Sequence, residues 1–153
     1  MLSRIFPRQL DNNFAGHRAA LWLLGLYVAL KLVMSLNSIF NPASVAAGAD
    51  GIPLDSFGPP AAREVLILFA LVALGQLALA LIALLALVRY RAMAPLMFLL
   101  LLGEGLARRV IVQSQAIPGA ASSAVGLAIN LGLLGLLALG LGLSLFAREA
   151  PKS

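Results

Sequence analysis

Four long apolar segments restrict the fold of this 153-residue chain more than any other feature of its sequence. They cover residues 19–40, 65–88, 93–112 and 124–146. Each has the length of a helix that crosses the ~30 Å hydrocarbon core of a bilayer, which takes about 20 residues. Their apolar residues form continuous runs, whereas the strands of a membrane β-barrel alternate polar and apolar positions. Because lipid offers backbone groups no hydrogen-bond partner, the segments are predicted to be helices.

The composition supports a membrane protein. Hydrophobic residues make up 61% of the chain and charged residues 11%, with a mean hydropathy of +1.00. Soluble domains contain about 25% charged residues. We predict an all-α integral membrane protein, a single domain over residues 1–153, with four transmembrane helices in an up-down bundle and the lipid bilayer as its partner.

Basic residues concentrate at one end of the predicted spans, although the net charge of +5 alone is also typical of nucleic-acid-binding proteins. Seven of them flank apolar segments on the side of the two termini: Arg4, Arg8, Arg18, Arg89, Arg91, Arg148 and Lys152. This distribution predicts that both termini are cytoplasmic and that nucleic acid is not a partner. The excess of arginine over lysine, with abundant Ala, Leu and Gly, favours a bacterial inner (plasma) membrane. Arg108 and Arg109, near the other end, count against this orientation.

The connections between the spans differ in length. Residues 89–92 join the second and third spans, which are therefore predicted to be antiparallel neighbours. The 41–64 connection is long and rich in Pro and Gly, as functional or mobile loops are, and we expect it outside the cytoplasm. Residues 47–49 are small, as at a signal-peptidase site, but the preceding segment is too long for a signal peptide, so we expect no cleavage.

Polar side chains of three spans are predicted to lie at one depth. Lys31, Gln76 and Glu104 are each thirteen residues from a basic residue at the cytoplasmic end of their span. At a rise of 1.5 Å per residue, this distance is about 20 Å, slightly beyond the bilayer midplane. Arg108 lies one turn after Glu104, a favourable arrangement for an ion pair. We predict an intramembrane Lys31–Glu104 pair bridged by Gln76. In the alternative interpretation, Lys31 extends to the outer interface and Glu104 pairs with Arg108 alone.

Asn37, Arg109 and Asn130 lie eighteen or nineteen residues from the same basic line, at a depth of about 27–28 Å. They are predicted to form a second, outer polar layer near the far interface. Amides at such positions are typical of contacts between membrane helices.

The last span carries small residues on one face: Ala128, Gly132, Gly135 and Gly142. Small residues let membrane helices approach closely. This face therefore predicts either packing inside the protein or contact with a second copy or a partner membrane protein, and the sequence does not separate the two.

Catalytic and metal-binding patterns are missing from the sequence. There is no cysteine, and His17 is the single histidine, so no set of thiolates or imidazoles exists for a metal or haem. Paired carboxylates are possible only in the outer loop, through Asp50 and Asp55, which lie in a turn-rich segment and are expected to be solvated. We expect no cofactor, no metal and no catalytic residue.

Two functional hypotheses follow. The first is a small membrane protein without catalysis that acts as an accessory, assembly or interaction component, with its buried charges setting the helix register. The second is a small oligomeric transporter or ion or proton pathway in which Glu104 exchanges a proton, since intramembrane acids serve in proton relays. A lipid enzyme using the acids of the long loop is a distant third.

Overall fold

A computed structural model of the chain describes residues 5–7, 9, 11–114 and 124–146. All regular secondary structure in these ranges is helical. The helices are α1 (Arg18–Phe40), α2 (Pro42–Gly48), α3 (Pro59–Arg89), α4 (Ala94–Ser114) and α5 (Ala124–Leu145), with short 3-10 helices at Leu54–Ser56 and Arg91–Met93.

Three of these helices have the length and composition of membrane-spanning helices. α1, α3 and α5 are each long and apolar enough to cross a bilayer. α4 has a similar length of 21 residues, but it contains Glu104, Arg108 and Arg109.

Most helices start within one residue of a predicted span, but α3 does not. It begins at Pro59, six residues before the predicted start at 65. Pro59 and Pro60 occupy the first two helical positions, where the N–H that proline lacks would have no helical partner. The outer loop predicted over residues 41–64 is correspondingly shorter, and α2 and a 3-10 helix occupy much of it.

The packing order of the long helices differs from their order along the chain. α1 packs between α3 and α5, and α4 packs mainly on α5. Consequently α3 and α4 contact each other sparingly, although only Tyr90 and one 3-10 turn connect them. Neighbouring helices run antiparallel, as the following contacts show: Gly25 with Leu87, Lys31 with Gln76, Phe98 with Gly140, and Gly105 with Leu134.

The packed core occupies only the half of the molecule nearest the N-terminal tail. Its large buried side chains are Leu24, Tyr27, Val28, Met97, Phe98, Leu101, Leu133 and Leu137. In the other half, the buried positions of the described residues are small: Ser35, Ala46, Ala73 and Gly126. No described residue of α4 after Leu101 is buried. The helices are thus held by apolar packing at one end and by other contacts at the opposite end.

Candidate functional site: a polar cluster joining three helices

Four side chains form one continuous chain of hydrogen bonds across three helices, and we call them the polar cluster: Lys31, Gln76, Glu104 and Arg108. Lys31 Nζ on α1 donates to Gln76 Oε1 on α3 at 3.0 Å. Gln76 Nε2 donates to Glu104 Oε1 on α4 at 2.7 Å. Arg108, one turn further along α4, donates to the same oxygen through Nε at 3.0 Å and also through Nη2. The structure therefore brings together all four residues of the predicted inner site.

Gln76 separates the two charged groups that it joins. Its carbonyl oxygen accepts from the Lys31 ammonium, while its amide nitrogen donates to the Glu104 carboxylate. A primary amide does both at once, and bonds to charged partners are stronger than neutral ones. The ion pair of the cluster is Arg108–Glu104, within α4. Lys31 reaches Glu104 through the amide and not by direct contact.

The aromatic ring of Tyr27 lies on the side of Lys31 that faces the packed core. The Lys31 nitrogen is 6.0 Å from the ring centroid, within the range of a cation–π contact. Tyr27 itself is buried in the core. The cluster thus begins at the level where the apolar core ends. The polar groups of three otherwise apolar helices lie together at that level.

Of the two glycines beside Glu104, one permits a close helix contact. A Cβ on Gly105 would lie 2.8 Å from Leu134 Cδ2 of α5, whereas nothing lies within 4 Å of a Cβ on Gly103. Gly105 therefore lets α4 approach α5 at the level of the cluster.

Asp50 is a further charged residue that interacts electrostatically with Arg108 and Lys31. The sequence identified it only as one of the two acids of the outer loop. It follows α2, and its Oδ1 would lie 3.9 Å from a Cβ on Gly126, near the start of α5. Partial desolvation raises the pKa of the Asp50 carboxyl, while the positive charges of Arg108 and Lys31 oppose this rise. A carboxylate near a helix N-terminus also meets the positive end of the helix dipole.

The predicted outer layer was defined by the equal depth of its three residues, and hydrogen bonds do not join them. No hydrogen bond among the described residues joins Asn37, Arg109 and Asn130 to one another. Asn37 Oδ1 accepts from Asn41 Nδ2 at 3.0 Å, and Asn130 Nδ2 donates to the Gly126 carbonyl at 2.9 Å. Each amide therefore bonds four residues away along the chain, because such a partner is available without any contact between helices.

The small-residue face of α5 points away from the protein. Ala128, Gly132 and Gly135 are exposed, Gly142 is half-buried, and a Cβ on any of the three glycines would meet nothing within 4 Å. The close contacts instead use Gly126 and Gly140, on the opposite face, where a Cβ would overlap the Ala49 carbonyl oxygen and the Phe98 ring. Among the residues that the structure describes, nothing packs against the three glycines of the predicted face.

The polar cluster pairs charges through hydrogen bonds. Its charged groups are two cations and one carboxylate, and Asp50 brings a second carboxylate nearby. Within the described ranges, no three His, Cys, Asp or Glu side chains approach one another closely enough to hold a metal ion. His17 lies far from the cluster, before α1, where its Nδ1 accepts from the Ala19 N–H at 3.2 Å.

No protein-family model, curated protein or solved structure matches this chain.

Proposed function

We propose that this chain is a four-span integral membrane protein without catalytic activity that serves as an accessory, assembly or interaction component. The supporting observation is the hydrogen-bond chain of the polar cluster, in which every charged group has a partner within the protein. A charge at the centre of a membrane helix costs about 2.5–3.5 kcal/mol, and pairing lowers that cost. In this function the cluster sets the register of α1, α3 and α4.

The fourth span of this proposal is α4. Its 21 residues reach about 31 Å, enough to cross the hydrocarbon core. Its contacts with α5 extend at least from Phe98 to Gly105, so the two helices lie side by side over this stretch. Arg108 neutralises Glu104 within α4 itself, which reduces the cost of placing both in the membrane. Together with α1, α3 and α5, this gives the up-down arrangement.

The proposed location is a bacterial inner membrane, with both termini in the cytoplasm. Arg18, Arg89 and Arg91 all lie at the end of the helices that carries the N-terminal tail. This end would face the cytoplasm by the positive-inside rule. Four other basic residues on the same side of the predicted spans lie outside the described residues: Arg4, Arg8, Arg148 and Lys152.

The proposed partner surface is the small-residue face of α5, defined by Ala128, Gly132, Gly135 and Gly142. Its exposure leaves it free to pack against a second copy or a partner membrane protein, in the manner of small-residue contacts in lipid.

Gly135→Leu would fill the centre of this face. It is expected to abolish cross-linked dimers in membranes, and dimers that persist would contradict the assignment.

A double-mutant cycle on Lys31→Met and Glu104→Gln tests the structural role of the cluster. Both side chains bond the same amide, so the two losses in free energy of unfolding are expected to couple by at least about 0.5 kcal/mol. Denaturation in detergent micelles measures the cycle. The same cycle on Arg63 and Glu104, which lie in separate parts of the molecule, is the additive control. Additive losses in both cycles would end the proposal.

A second function, an ion or proton pathway, is favoured by the partial exposure of the cluster. The Glu104 side chain retains 28% of its exposure and Arg108 38%. Asp50 extends the charged groups toward the outer loop.

Flux into liposomes separates the two functions. A pathway requires proton or ion flux that Glu104→Gln removes, whereas a structural cluster shows none in either form. The chain has no cysteine, so Lys31→Cys, Gln76→Cys and Glu104→Cys also report on water access through labelling with water-soluble thiol reagents. Labelling from both sides of the membrane would favour the pathway.

A further inference from the structure

A cavity of about 410 Å³ lies at the opposite end of the molecule from the polar cluster and is lined by Asn12, Val88, Arg89 and Tyr90. Small-molecule sites have volumes of roughly 300–1,000 Å³. The cavity forms where the N-terminal tail crosses the end of α3. We call it the tail cavity.

Two backbone contacts hold the tail in place around this cavity. The Ala92 N–H donates to the Asp11 carbonyl at 3.3 Å, and the His17 N–H donates to the Leu143 carbonyl at 3.1 Å. Gly16 lies so close to the Ser144 carbonyl oxygen that a Cβ would overlap it. The tail is therefore fastened on both sides of Asn12, and the wall that Asn12 forms is part of the fold.

The charges around the tail cavity favour an anion. Arg89 is exposed, and its guanidinium pairs with no side chain in the part of the chain that the structure describes. The acid beside Asn12, Asp11, accepts from the Asn13 N–H at 3.0 Å and from Asn13 Nδ2 at 2.8 Å, so both of its oxygens bond Asn13. Two arginines, Arg89 and Arg91, outnumber this single carboxylate. Arg91 Nε donates to the Leu87 carbonyl at 3.2 Å, which offsets the negative end of α3.

We infer that the tail cavity binds the phosphate of an anionic phospholipid headgroup. Arg89 supplies a planar set of donors that matches phosphate oxygens. Asn12 and Tyr90 also line the cavity, and both side chains carry neutral hydrogen-bond donors.

The apolar wall favours a lipid over free phosphate. Val88 lines the cavity and is 62% exposed in the last turn of a membrane-spanning helix. An acyl chain attached to the bound headgroup would continue along this exposed surface of α3. Free phosphate has no group that would gain from that contact.

Native mass spectrometry of the full-length protein, with defined amounts of phosphatidylglycerol or phosphatidylcholine, tests the inference. The wild type is expected to retain phosphatidylglycerol preferentially. Arg89→Gln is expected to weaken that retention at least about tenfold, because a charge-assisted hydrogen bond is lost. Arg63→Gln removes an exposed arginine from the other end of the same helix and is the matched control.

Each outcome bears on the inference directly. Loss in Arg89→Gln but not in Arg63→Gln supports it, and Arg89→Lys is expected to restore part of the retention. Equal retention by the two glutamine variants, or equal retention of both lipids by the wild type, overturns it. Full displacement of phosphatidylglycerol by inorganic phosphate would assign the cavity to a soluble anion and overturn the lipid. Circular dichroism verifies that each variant is folded.

Discussion

Gln76 is the residue on which the polar cluster depends, because among the described residues it alone hydrogen-bonds both Lys31 and Glu104. An apolar residue at this position would leave the ammonium without its hydrogen bond. A carboxylate would accept from Lys31 but would face Glu104 with a like charge. The amide is thus the side chain that fits between a cation and an anion at this depth.

Replacing this amide should destabilise the protein measurably. Gln76→Leu removes two hydrogen bonds to charged groups, and we expect a loss of about 1–2 kcal/mol in the free energy of unfolding. Asn130→Leu is the matched control, since its amide bonds only the Gly126 carbonyl of its own helix. Chemical unfolding in micelles measures both variants. An equal loss in the two would show that the contact between helices contributes nothing of its own.

Asp50 should make the stability of the protein depend on pH. Because partial desolvation raises its pKa in the folded state above the ordinary value of 3.8, the folded protein holds this proton more tightly than the unfolded chain. The resulting stabilisation is complete below pH 3.8 and is lost as the pH rises through the raised pKa. As the pH rises through this range, the melting temperature should fall less in Asp50→Asn than in the wild type. Asp55→Asn, in the same loop, is the control and should retain the full decline.

At the scale of the elements, α5 presents glycines on two opposite faces with different surroundings. Gly126 and Gly140 lie inside, where another part of the protein occupies the space that a Cβ would need. Gly132 and Gly135 lie outside, where that space is open. The same residue type therefore serves close packing on one face and leaves the other free for a partner or for lipid.

Substituting one glycine from each face should separate these roles. Gly126→Ala places a methyl group against the Ala49 carbonyl, so the segment after α2 must move, at an expected loss of about 1–3 kcal/mol. Gly132→Ala meets nothing and should leave stability unchanged or slightly increased. Unfolding measurements on the monomer, with proteolysis of the outer loop as a second readout, compare the two. Faster cleavage is expected in Gly126→Ala alone, and the reverse order would contradict the contact.

At the scale of the whole molecule, two kinds of interaction hold the helices at different heights. Apolar packing around Phe98 and Leu24, both fully buried, holds the half near the N-terminal tail. The polar cluster joins α1, α3 and α4 where this packing ends. Since α3 and α4 otherwise contact each other sparingly, the Gln76–Glu104 bond limits their separation.

The number of spans decides where the two termini lie. With α4 as a fourth span, both termini are on the same side of the membrane, whereas three spans would place them on opposite sides. In the cysteine-free chain, Ser3→Cys and Ser153→Cys should react equally with a membrane-impermeant thiol reagent. Ser56→Cys in the outer loop should react from the other side. Opposite accessibility of the termini would exclude the four-span arrangement.

The sequence predicted the inner site better than the outer layer, for a physical reason. Lys31 and Gln76 have no charged residue three or four positions away on their own helices, so their bonding partners come from other helices, whereas Glu104 also pairs with Arg108 on its own helix. Asn37 and Asn130 find partners one turn away and do not need another helix. Equal depth alone therefore did not predict contact, because a local hydrogen bond competes with a contact between helices.

The sequence by itself determined where the helices lie, because helix formation here depends on local backbone preferences and on the surrounding lipid. Apolar runs of about 20 residues must be helices in lipid, and proline placement marks where helices begin. The tertiary structure alone decided that α4 packs on α5 instead of its chain neighbour α3, which face of α5 is buried, and that Asp50 lies beside the polar cluster. In lipid, inward and outward surfaces are equally apolar, so hydrophobic periodicity carries no information about which face is buried. Close contacts at single glycines decide which face is buried.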